Sequence, residues 1–425
     1  MARLNGFTKK QIIEVYRKMA ISRKLDDKML ILLKQGKSFF HIGASGHEAA
    51  QLAAAEVIKP GEDWSFPYYR DGAYCIGLGM TAREQLLSFL AKAADPNSGG
   101  RQMPQHYGHR DLRIVSQSSP TGTQFLQAVG CAMVCKMGKT KEVVYVSAGE
   151  GTTSQGDFHE ALNWASNAKA PVIFHIQDNE YAISTHRSEQ TASSIYDMTS
   201  GYGNLSRYDV DGTDFFETSL AFKEAVQRAR RNKGPSIIVS HVVRLLPHSS
   251  SDDQRKYRDE KSLNNDLKKD PLLILESKCI DAKFIKADEF AKIRLQVDKD
   301  VDTDSAWAEE QDFPEPETAM DHIYSSKEYP EESTFNPVAE KIVIVDAINH
   351  ALHEEMELNE KMVVYGQDIA DPKGGVFTAT KGLSDKFGNG RVFNSPLAES
   401  SIVGTAVGMA VSGYKPVVEI QFGDY

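Results

Sequence analysis

The spacing of apolar residues changes once along the chain, near residue 140. Before that point apolar residues recur every three or four positions, as at Ile12, Val15 and Met19, which predicts amphipathic helices. After it they form short unbroken runs, separated by helical stretches at about 156–167 and 215–232. The runs lie at 143–146, 171–176 and 235–240. Strands that alternate with helices at this spacing predict parallel βαβ units and a doubly wound sheet.

The same alternation restarts after an acidic stretch that contains several prolines. Residues 301–340 carry twelve acidic residues and one basic residue, Lys327, which predicts a solvated connector. Helices are then predicted at about 339–358 and 399–412, and strands at 362–365, 391–393 and 416–421. We therefore expect an α/β protein of two consecutive domains, at 1–325 and 339–425, joined by a linker at 326–338. The second domain is expected to be cut short, because a doubly wound domain needs well over about ninety residues.

Composition and charge exclude several classes of protein. The 425 residues are 41% hydrophobic with a net charge of −10, and the acidic stretch accounts for all of that charge. A basic nucleic-acid footprint is therefore absent, and no apolar run approaches the ~18 residues of a membrane helix. The N-terminus has no signal-peptide core, and four cysteines are too few for a disulfide framework. We expect a cytoplasmic protein that binds neither nucleic acid nor membrane.

A glycine turn marks the candidate ligand site. Gly149-Glu-Gly151 follows the first strand candidate and precedes a helix, which is where parallel sheets bind ligands. A dinucleotide fold is one interpretation, because Asp178 ends the next strand. However, Thr152 and the two residues after it replace the third glycine of that motif, and Glu150 would repel a diphosphate unless a cation intervened. Glu150 and Asn179 are ligands of the kind that magnesium prefers. A plain glycine turn with a surface glutamate remains the structural alternative.

The turn and its flanking motifs resemble a known enzyme family. Gly149-Glu-Gly151 with Asp178-Asn179 is similar to the thiamine-diphosphate motif, which runs from G-D/E-G to a closing N-N. Further motifs resemble the α subunit of branched-chain 2-oxoacid dehydrogenases, at residues 100–104 (Gly-Arg-Gln-Met-Pro), 106–108, 118–120, 123–124 and 248–253. A further resemblance, to the start of the β subunit of the same enzyme, lies at residues 392–399 and 419–425. The chain therefore resembles an α–β fusion that is incomplete at its C-terminus.

The resemblance implies a thiamine-diphosphate-binding fold with a defined set of site residues. Glu150, Asn179 and the backbone carbonyl of Tyr181 would hold magnesium on the diphosphate. The residues that would line the cofactor are Tyr69, Arg70, Ser119, Thr121, Gly149, Gly151, Thr152, Gln177 and His248. A monovalent-cation site, of the potassium type, is matched by Ser118, Thr123 and Gln124. Glu399 would hydrogen-bond the aminopyrimidine ring, in a pocket formed by Leu397, Gln421 and Tyr425.

Two segments depart from the family pattern. Gln177-Asp-Asn-Glu-Tyr181 stands where the branched-chain pattern has Arg-Asn-Asn-Gly-Tyr, so a cationic diphosphate contact becomes a neutral amide. The same change puts a carboxylate beside the expected metal ligand. In the second domain, Gln367 replaces the glutamate that is usual in the β subunit.

The resemblance implies oxidative decarboxylation of branched-chain 2-oxoacids, with Glu399 and His248 as catalytic residues. The acyl group would pass reductively to the lipoyl group of a dihydrolipoyl acyltransferase, and the fused chains would form a homodimer. The preference for branched-chain substrates rests on residues 100–104. A pyruvate or acetoin dehydrogenase component is the alternative within the family. A nicotinamide-dependent reductase and a non-catalytic assembly fragment are the alternatives outside it.

Overall fold

The chain forms two compact units in a computed structural model that describes residues 2–324 and 341–425. The units comprise Met1–Phe313 and Pro314–Tyr425. The linker expected at 326–338 lies outside the described residues. Within the described residues, no helix is long and apolar enough to cross a membrane.

Unit 1 is built on a five-stranded sheet in which all neighbouring strands run parallel. The strands of this unit are β1 (Arg3–Leu4), β2 (Phe7–Thr8), β3 (Trp64–Phe66), β4 (Val144–Gly149), β5 (Val172–Asp178), β6 (Tyr181–Ala182), β7 (Thr185–His186), β8 (Ser206–Asp211) and β9 (Ser236–His241). The order across the sheet is β3-β4-β5-β9-β8, and β1–β2 and β6–β7 form small antiparallel ribbons. Almost every residue of β4, β5 and β9 is buried, so both faces of the sheet are covered.

Helices surround this sheet and supply most of the core of unit 1. They are α1 (Lys9–Lys34), α2 (Glu48–Ala55), α3 (Gly72–Leu78), α4 (Ala82–Phe89), α5 (Thr123–Met137), α6 (Gly156–Ala168), α7 (Arg187–Gln190), α8 (Ile195–Met198), α9 (Phe215–Arg230), α10 (Glu260–Leu267), α11 (Pro271–Asp281) and α12 (Ala287–Glu309). Short 3₁₀ turns lie at Glu150–Ser154, Thr199–Gly201 and Gln254–Lys256. The three strands predicted for this unit are present with ends within three residues. Strands β3 and β8 were not predicted, because one is only three residues long and the other is a partly exposed edge strand.

Unit 2 repeats the parallel α/β architecture on a smaller scale. Its elements are a 3₁₀ turn (Pro316–Met320), α13 (Ile344–Leu358), β10 (Met362–Gly366), α14 (Leu383–Phe387), β11 (Val392–Asn394), α15 (Glu399–Val411) and β12 (Lys415–Glu419). The three strands are parallel in the order β11-β10-β12. Met356, Val364 and Leu383 belong to its buried core. The predicted α/β fold class is therefore confirmed in both units.

Residues 301–309 correct the sequence interpretation of the acidic stretch. They form the last turns of α12, which packs on α1, rather than part of a solvated connector. Val301 and Ala308 are fully buried at helical spacing. The acidic residues between them lie on the outer face, where Asp302 pairs with Lys28 at 2.6 Å. A count of charges could not reveal this apolar stripe.

The entry to α2 also differs from its sequence pattern. Ser45 and Glu48 have the spacing of a capping box, but the helix begins at Glu48 with no side-chain cap. The Ser45 hydroxyl donates instead to Asp26 Oδ2 at 2.6 Å. Gly46 takes a left-handed φ of +102°, and a Cβ there would lie 2.0 Å from the carbonyl oxygen of Val243. The backbone contact that places α2 beside the sheet therefore requires glycine.

We expect Gly46→Ala to destabilise unit 1 by about 3 kcal/mol or more, because it adds backbone strain to a steric clash. The matched control is Gly156→Ala at the start of α6, where a Cβ meets no atom within 4 Å. That control should remain within about 1 kcal/mol of the wild type. Urea unfolding monitored on both variants is the measurement, and equal stabilities would contradict the tight contact.

Candidate functional site

The carboxyl ends of β4 and β5 border a pocket of about 390 Å³. The parallel register pairs Gly149 with Gln177, so Glu150 and Asn179, which follow these strand ends, meet at one edge. The lining residues are Tyr68, Tyr69, Arg70, Thr121, Gly149, Glu150, Gly151, Thr152, Asn179, Tyr181, Ala182, Ile183, Gln190 and His248. The structure therefore brings together most of the predicted diphosphate and metal residues.

Glu150 is a buried carboxylate at the edge of this pocket, with 2% of its surface exposed. Its Oε2 accepts a hydrogen bond from the backbone N–H of Asn179 at 3.3 Å. Burial, reinforced by the nearby charge of Asp178, raises the pKa of Glu150 to about 7. Within the described residues Glu150 forms no ion pair. A buried carboxylate in this state fits a bound cation.

The neighbouring oxygen atoms complete a donor set suited to magnesium. Asn179 Oδ1 accepts from the backbone N–H of Tyr181 at 3.2 Å, which holds the amide beside the Tyr181 backbone. One carboxylate, one amide and one carbonyl are oxygen donors of the kind that magnesium takes, and they would hold the ion together with phosphate oxygens and water. Gly151 allows the turn to approach the β6–β7 ribbon, because a Cβ there would lie 2.5 Å from that of Ala182. In the part of the chain that the structure describes, no cluster of three or more His, Cys, Asp or Glu residues is arranged to hold a metal.

Asp178, the carboxylate that the sequence places beside the metal ligand, is paired with cationic groups. Its Oδ2 contacts Arg187 Nη1 at 2.5 Å and lies 3.6 Å from His241 Nδ1. Burial alone would raise the pKa of Asp178, but the hydrogen bond of His241 and the charge and hydrogen bond of Arg187 outweigh it and lower the pKa. The extra negative charge at this position is therefore compensated locally.

Arg70 and His248 form one wall of the pocket. The buried guanidinium of Arg70 donates to the Gly43 carbonyl at 2.6 Å and to the His248 carbonyl at 3.3 Å. Burial, and then the charges of Arg70 and Arg244, lower the pKa of His248 to about 4. At neutral pH the His248 imidazole is therefore uncharged, and the positive charge of this wall comes from Arg70.

A chain of hydrogen bonds connects the His248 loop to the β6–β7 ribbon. Asp252 Oδ2 accepts from the His248 N–H at 2.9 Å and from the Tyr257 hydroxyl at 2.5 Å. Arg244 donates to the Tyr257 hydroxyl at 2.6 Å and to the Ile183 carbonyl at 3.0 Å. The position of His248 therefore depends on the ribbon that carries Tyr181.

Two predicted cofactor residues lie away from the pocket wall. Gln177 is fully buried beneath it, where its amide donates to Asp71 and accepts from His47. Ser119 does not line the pocket, and its hydroxyl lies 2.6 Å from His106 Nε2. In both cases the polar group already has a partner within the protein, and the direct cofactor contacts of these two residues stay predictions.

The predicted potassium residues are close in sequence but have different partners. The hydroxyls of Ser118 and Thr123 both donate to the Pro120 carbonyl, at 3.4 and 3.3 Å. The side-chain oxygen of Gln124 accepts instead from the Gly122 N–H at 3.0 Å. The potassium site remains a prediction.

Unit 2 contains a separate pocket of about 320 Å³. It is lined by Gln367, Leu397, Glu399, Gln421 and Tyr425, so all four predicted pyrimidine-pocket residues are brought together. Glu399 is the first residue of α15, and its Oε1 accepts from Gln367 Nε2 at 2.7 Å. Gln421 Nε2 donates to the Gln367 carbonyl at 3.3 Å. Gln367, which departs from the family pattern, therefore contacts the predicted catalytic carboxylate directly.

Residues 100–104, on which the branched-chain interpretation rests, lie elsewhere in unit 1. Four of them line a mostly apolar groove of about 620 Å³, together with Phe39 and Phe313. The groove is larger than the pocket at Glu150. We assign the site to the smaller pocket, because the oxygen ligands and the Arg70 guanidinium converge there.

Several pocket residues were not predicted from the sequence. Ile183 adopts a left-handed φ of +57°, which is rare for a β-branched residue, yet no glycine or asparagine marks the turn. Arg244 is fully buried behind the ribbon. A signal for Arg244 was available, because a single charge within the apolar run 242–246 is unusual unless the charge has buried partners.

Comparisons with known proteins match two successive parts of the chain. Residues 16–317 match the family described as "Dehydrogenase E1 component", and residues 340–425 match "Transketolase, pyrimidine binding domain". The chain is 41% identical over 322 residues to 2-oxoisovalerate dehydrogenase subunit alpha of Bacillus subtilis, covering 75% of this chain and 97% of that protein. It is 35% identical over 252 residues to 2-oxoisovalerate dehydrogenase subunit alpha 1, mitochondrial, of Arabidopsis thaliana, covering 59% and 53%. It is 35% identical over 267 residues to pyruvate dehydrogenase E1 component subunit alpha of Staphylococcus aureus, covering 63% and 69%.

The raised pKa of Glu150 predicts a pH dependence of stability in the absence of metal. The folded state binds a proton near pH 7, whereas the unfolded glutamate does so near its ordinary value of 4.5, so stability falls as pH rises from about 4.5 to 7. Glu150→Gln should remove up to about 3 kcal/mol of this loss. Urea unfolding of unit 1 at pH 5 and pH 8 without magnesium is the measurement. Identical pH profiles for variant and wild type would contradict the buried state of Glu150.

Proposed function

The chain belongs to the dehydrogenase E1 component family, and we propose that it oxidatively decarboxylates branched-chain 2-oxoacids and passes the acyl group to the lipoyl group of a dihydrolipoyl acyltransferase. More generally, the chain is a thiamine-diphosphate-dependent 2-oxoacid dehydrogenase component in which the E1 part is followed by a pyrimidine-binding domain. Because the chain belongs to this family, the nicotinamide-dependent reductase considered from the sequence is no longer a candidate function. Branched-chain substrates are supported by the identity to the Bacillus subtilis subunit and by residues 100–104. The 35% identity to a pyruvate dehydrogenase subunit keeps pyruvate as the second candidate substrate.

One observation carries the proposal: a buried carboxylate without an ion-pair partner within the described residues, Glu150, meets Asn179 at the ends of adjacent strands. We propose that these two side chains and the Tyr181 carbonyl hold magnesium. The diphosphate would face Arg70, whose guanidinium supplies positive charge, with Tyr69, Thr121 and Thr152 around it. His248, uncharged at neutral pH, can accept a hydrogen bond or a proton during acyl transfer.

In this proposal the second pocket supplies proton transfer. When bound, thiamine diphosphate supplies the nucleophilic carbon and the electron sink that decarboxylation of a 2-oxoacid requires. Gln367 holds one oxygen of Glu399 and leaves the other for the aminopyrimidine ring. Leu397 and Tyr425 would pack against the ring, and Gln421 fixes the backbone of Gln367.

Further parts of the proposal rest on the family resemblance. They are a potassium ion at Ser118, Thr123 and Gln124, a homodimer of fused chains, and a cytoplasmic location. The domains would extend over 1–325 for the diphosphate and metal and over 339–425 for the pyrimidine, with a linker at 326–338. The lipoyl-bearing acyltransferase is the expected partner.

We expect Glu150→Ala to weaken magnesium-dependent binding of thiamine diphosphate at least tenfold, because it removes a direct metal ligand. Calorimetric titration with and without magnesium is the measurement. Glu180→Ala is the matched control, since Glu180 is exposed and does not line the pocket. The control should change affinity less than about threefold. Unchanged affinity in Glu150→Ala would remove this residue from the proposed metal site.

We expect Glu399→Gln to leave cofactor affinity nearly intact and to slow hydrogen exchange at the thiazolium carbon by ~10² or more, the scale of losing a positioned proton-transfer group. Nuclear magnetic resonance of the full chain with bound cofactor can follow this exchange. Glu357→Gln on α13 is the control, because Glu357 pairs with Lys386 and not with the pocket. Exchange at the wild-type rate in Glu399→Gln would reduce this residue to a carboxylate at a helix N-terminus.

A further inference from the structure

Two buried side-chain amides connect α2 and the end of β5 to the backbone of Arg70. Gln51 and Gln177 are both fully buried. Gln51 Nε2 donates to the Arg70 carbonyl at 2.9 Å and to Gln177 Oε1 at 2.9 Å. Gln177 Nε2 in turn donates to Asp71 Oδ1 at 2.6 Å. Arg70 carries the cationic side chain of the pocket. Its backbone and the side chain of Asp71 are thus each held by one amide.

The orientation of both amides follows from the backbone. The N–H groups of Ala73 and Tyr74 lie 3.0 and 3.3 Å from Gln51 Oε1 and can only donate, so the amino group of Gln51 must face the opposite way. Gln177 must then present its oxygen to Gln51 and its amino group to Asp71. Reversing either amide would place two donors or two acceptors against each other.

The same arrangement fixes the state of a buried histidine. His47 Nδ1 lies 2.8 Å from Gln177 Oε1, which can only accept, so Nδ1 carries the proton. Burial, followed by the charge of Arg70, lowers the pKa of His47 well below its ordinary value, so the ring is neutral. The network beneath the pocket therefore meets Asp71 and Arg70 with the neutral amides of Gln177 and Gln51, and the neutral His47 ring lies behind Gln177.

We propose that Gln51 and Gln177 are positioning residues for the Arg70 guanidinium, a role that rests on the proposed diphosphate site. In the pattern that the chain resembles, residue 177 is a cation directed at the diphosphate. In this chain it is an amide with both polar atoms used inside the protein, and it acts on the diphosphate through the backbone of residues 70 and 71. The positive charge of the pocket wall then comes from one guanidinium, and the two amides determine how accurately that guanidinium is placed.

The test is Gln51→Glu, which is nearly isosteric and keeps the oxygen that accepts from Ala73 and Tyr74. It replaces the amino group by a second oxygen facing the Arg70 carbonyl and Gln177. We expect thiamine diphosphate, titrated with magnesium into the full chain, to bind at least tenfold more weakly. Gln85→Glu is the matched control, since Gln85 is also buried but donates to the Gly72 carbonyl. The control should change affinity less than threefold.

A double-variant cycle separates positioning from general destabilisation. If Gln51 acts through Arg70, Gln51→Glu should cost less than threefold in a chain that already carries Arg70→Gln. An equal loss with and without Arg70→Gln, or no loss in Gln51→Glu itself, would overturn the proposal. If Gln51→Glu does not fold, Gln177→Met is judged by the same two criteria, because it removes both amide contacts without adding charge.

A measurement without cofactor keeps this proposal separate from the proposed function. Hydrogen–deuterium exchange of the backbone amides of residues 69–71 should be at least tenfold faster in Gln51→Glu than in the wild type, and less than threefold faster in Gln85→Glu. Equal exchange in the two variants would overturn the positioning role. If the variants show these exchange differences but the wild-type chain binds no thiamine diphosphate, the result would instead contradict the proposed function.

Discussion

The site in unit 1 depends on the burial of one carboxylate at the edge of a parallel sheet. Parallel strands place all their carboxyl ends at the same edge, so residues that follow β4 and β5 must meet. Glu150 meets Asn179 there, almost fully buried and without an ion-pair partner in the described part of the chain. A buried anion of this kind is unfavourable unless it is protonated or paired with a cation. The neighbouring amide and carbonyl oxygens make the second outcome possible.

The surrounding charges are arranged so that little else would compete for a cation at Glu150. Asp178 is the nearest rival carboxylate, and it is engaged by Arg187 and His241. The His248 imidazole is neutral at physiological pH because it is partly buried beside two guanidinium groups. The pocket thus combines one buried carboxylate with one buried guanidinium, Arg70. This pairing suits a metal-bound diphosphate, whose negative charge exceeds that of its metal.

In the proposed function, the two units would divide the chemistry between two kinds of carboxylate. Glu150 lies beside backbone and amide oxygens, which suits a metal ligand. Glu399 lies at a helix N-terminus, where a neutral amide of Gln367 holds one of its oxygens, which suits hydrogen bonding to an organic ring. In both units a glutamine replaces a charged residue of the family pattern and donates to a carboxylate, Asp71 or Glu399. Neutral amides therefore fix the geometry of charged groups without adding charge of their own.

The sequence by itself determined the parallel α/β class, the strand that precedes Gly149-Glu-Gly151, and the grouping of Leu397, Glu399, Gln421 and Tyr425. The fold class and the strand before the glycine turn follow from hydrophobic periodicity, which is a local signal, whereas the grouping in unit 2 follows from the family resemblance of two short motifs. Only the tertiary structure decided that Gln177 faces the protein interior, that Asp178 is compensated, and that residues 301–309 are helical core. The physical reason is that these outcomes depend on distant partners. Gln177 is oriented by Gln51 and Asp71, which are 126 and 106 residues away in sequence, and no local pattern records such a contact.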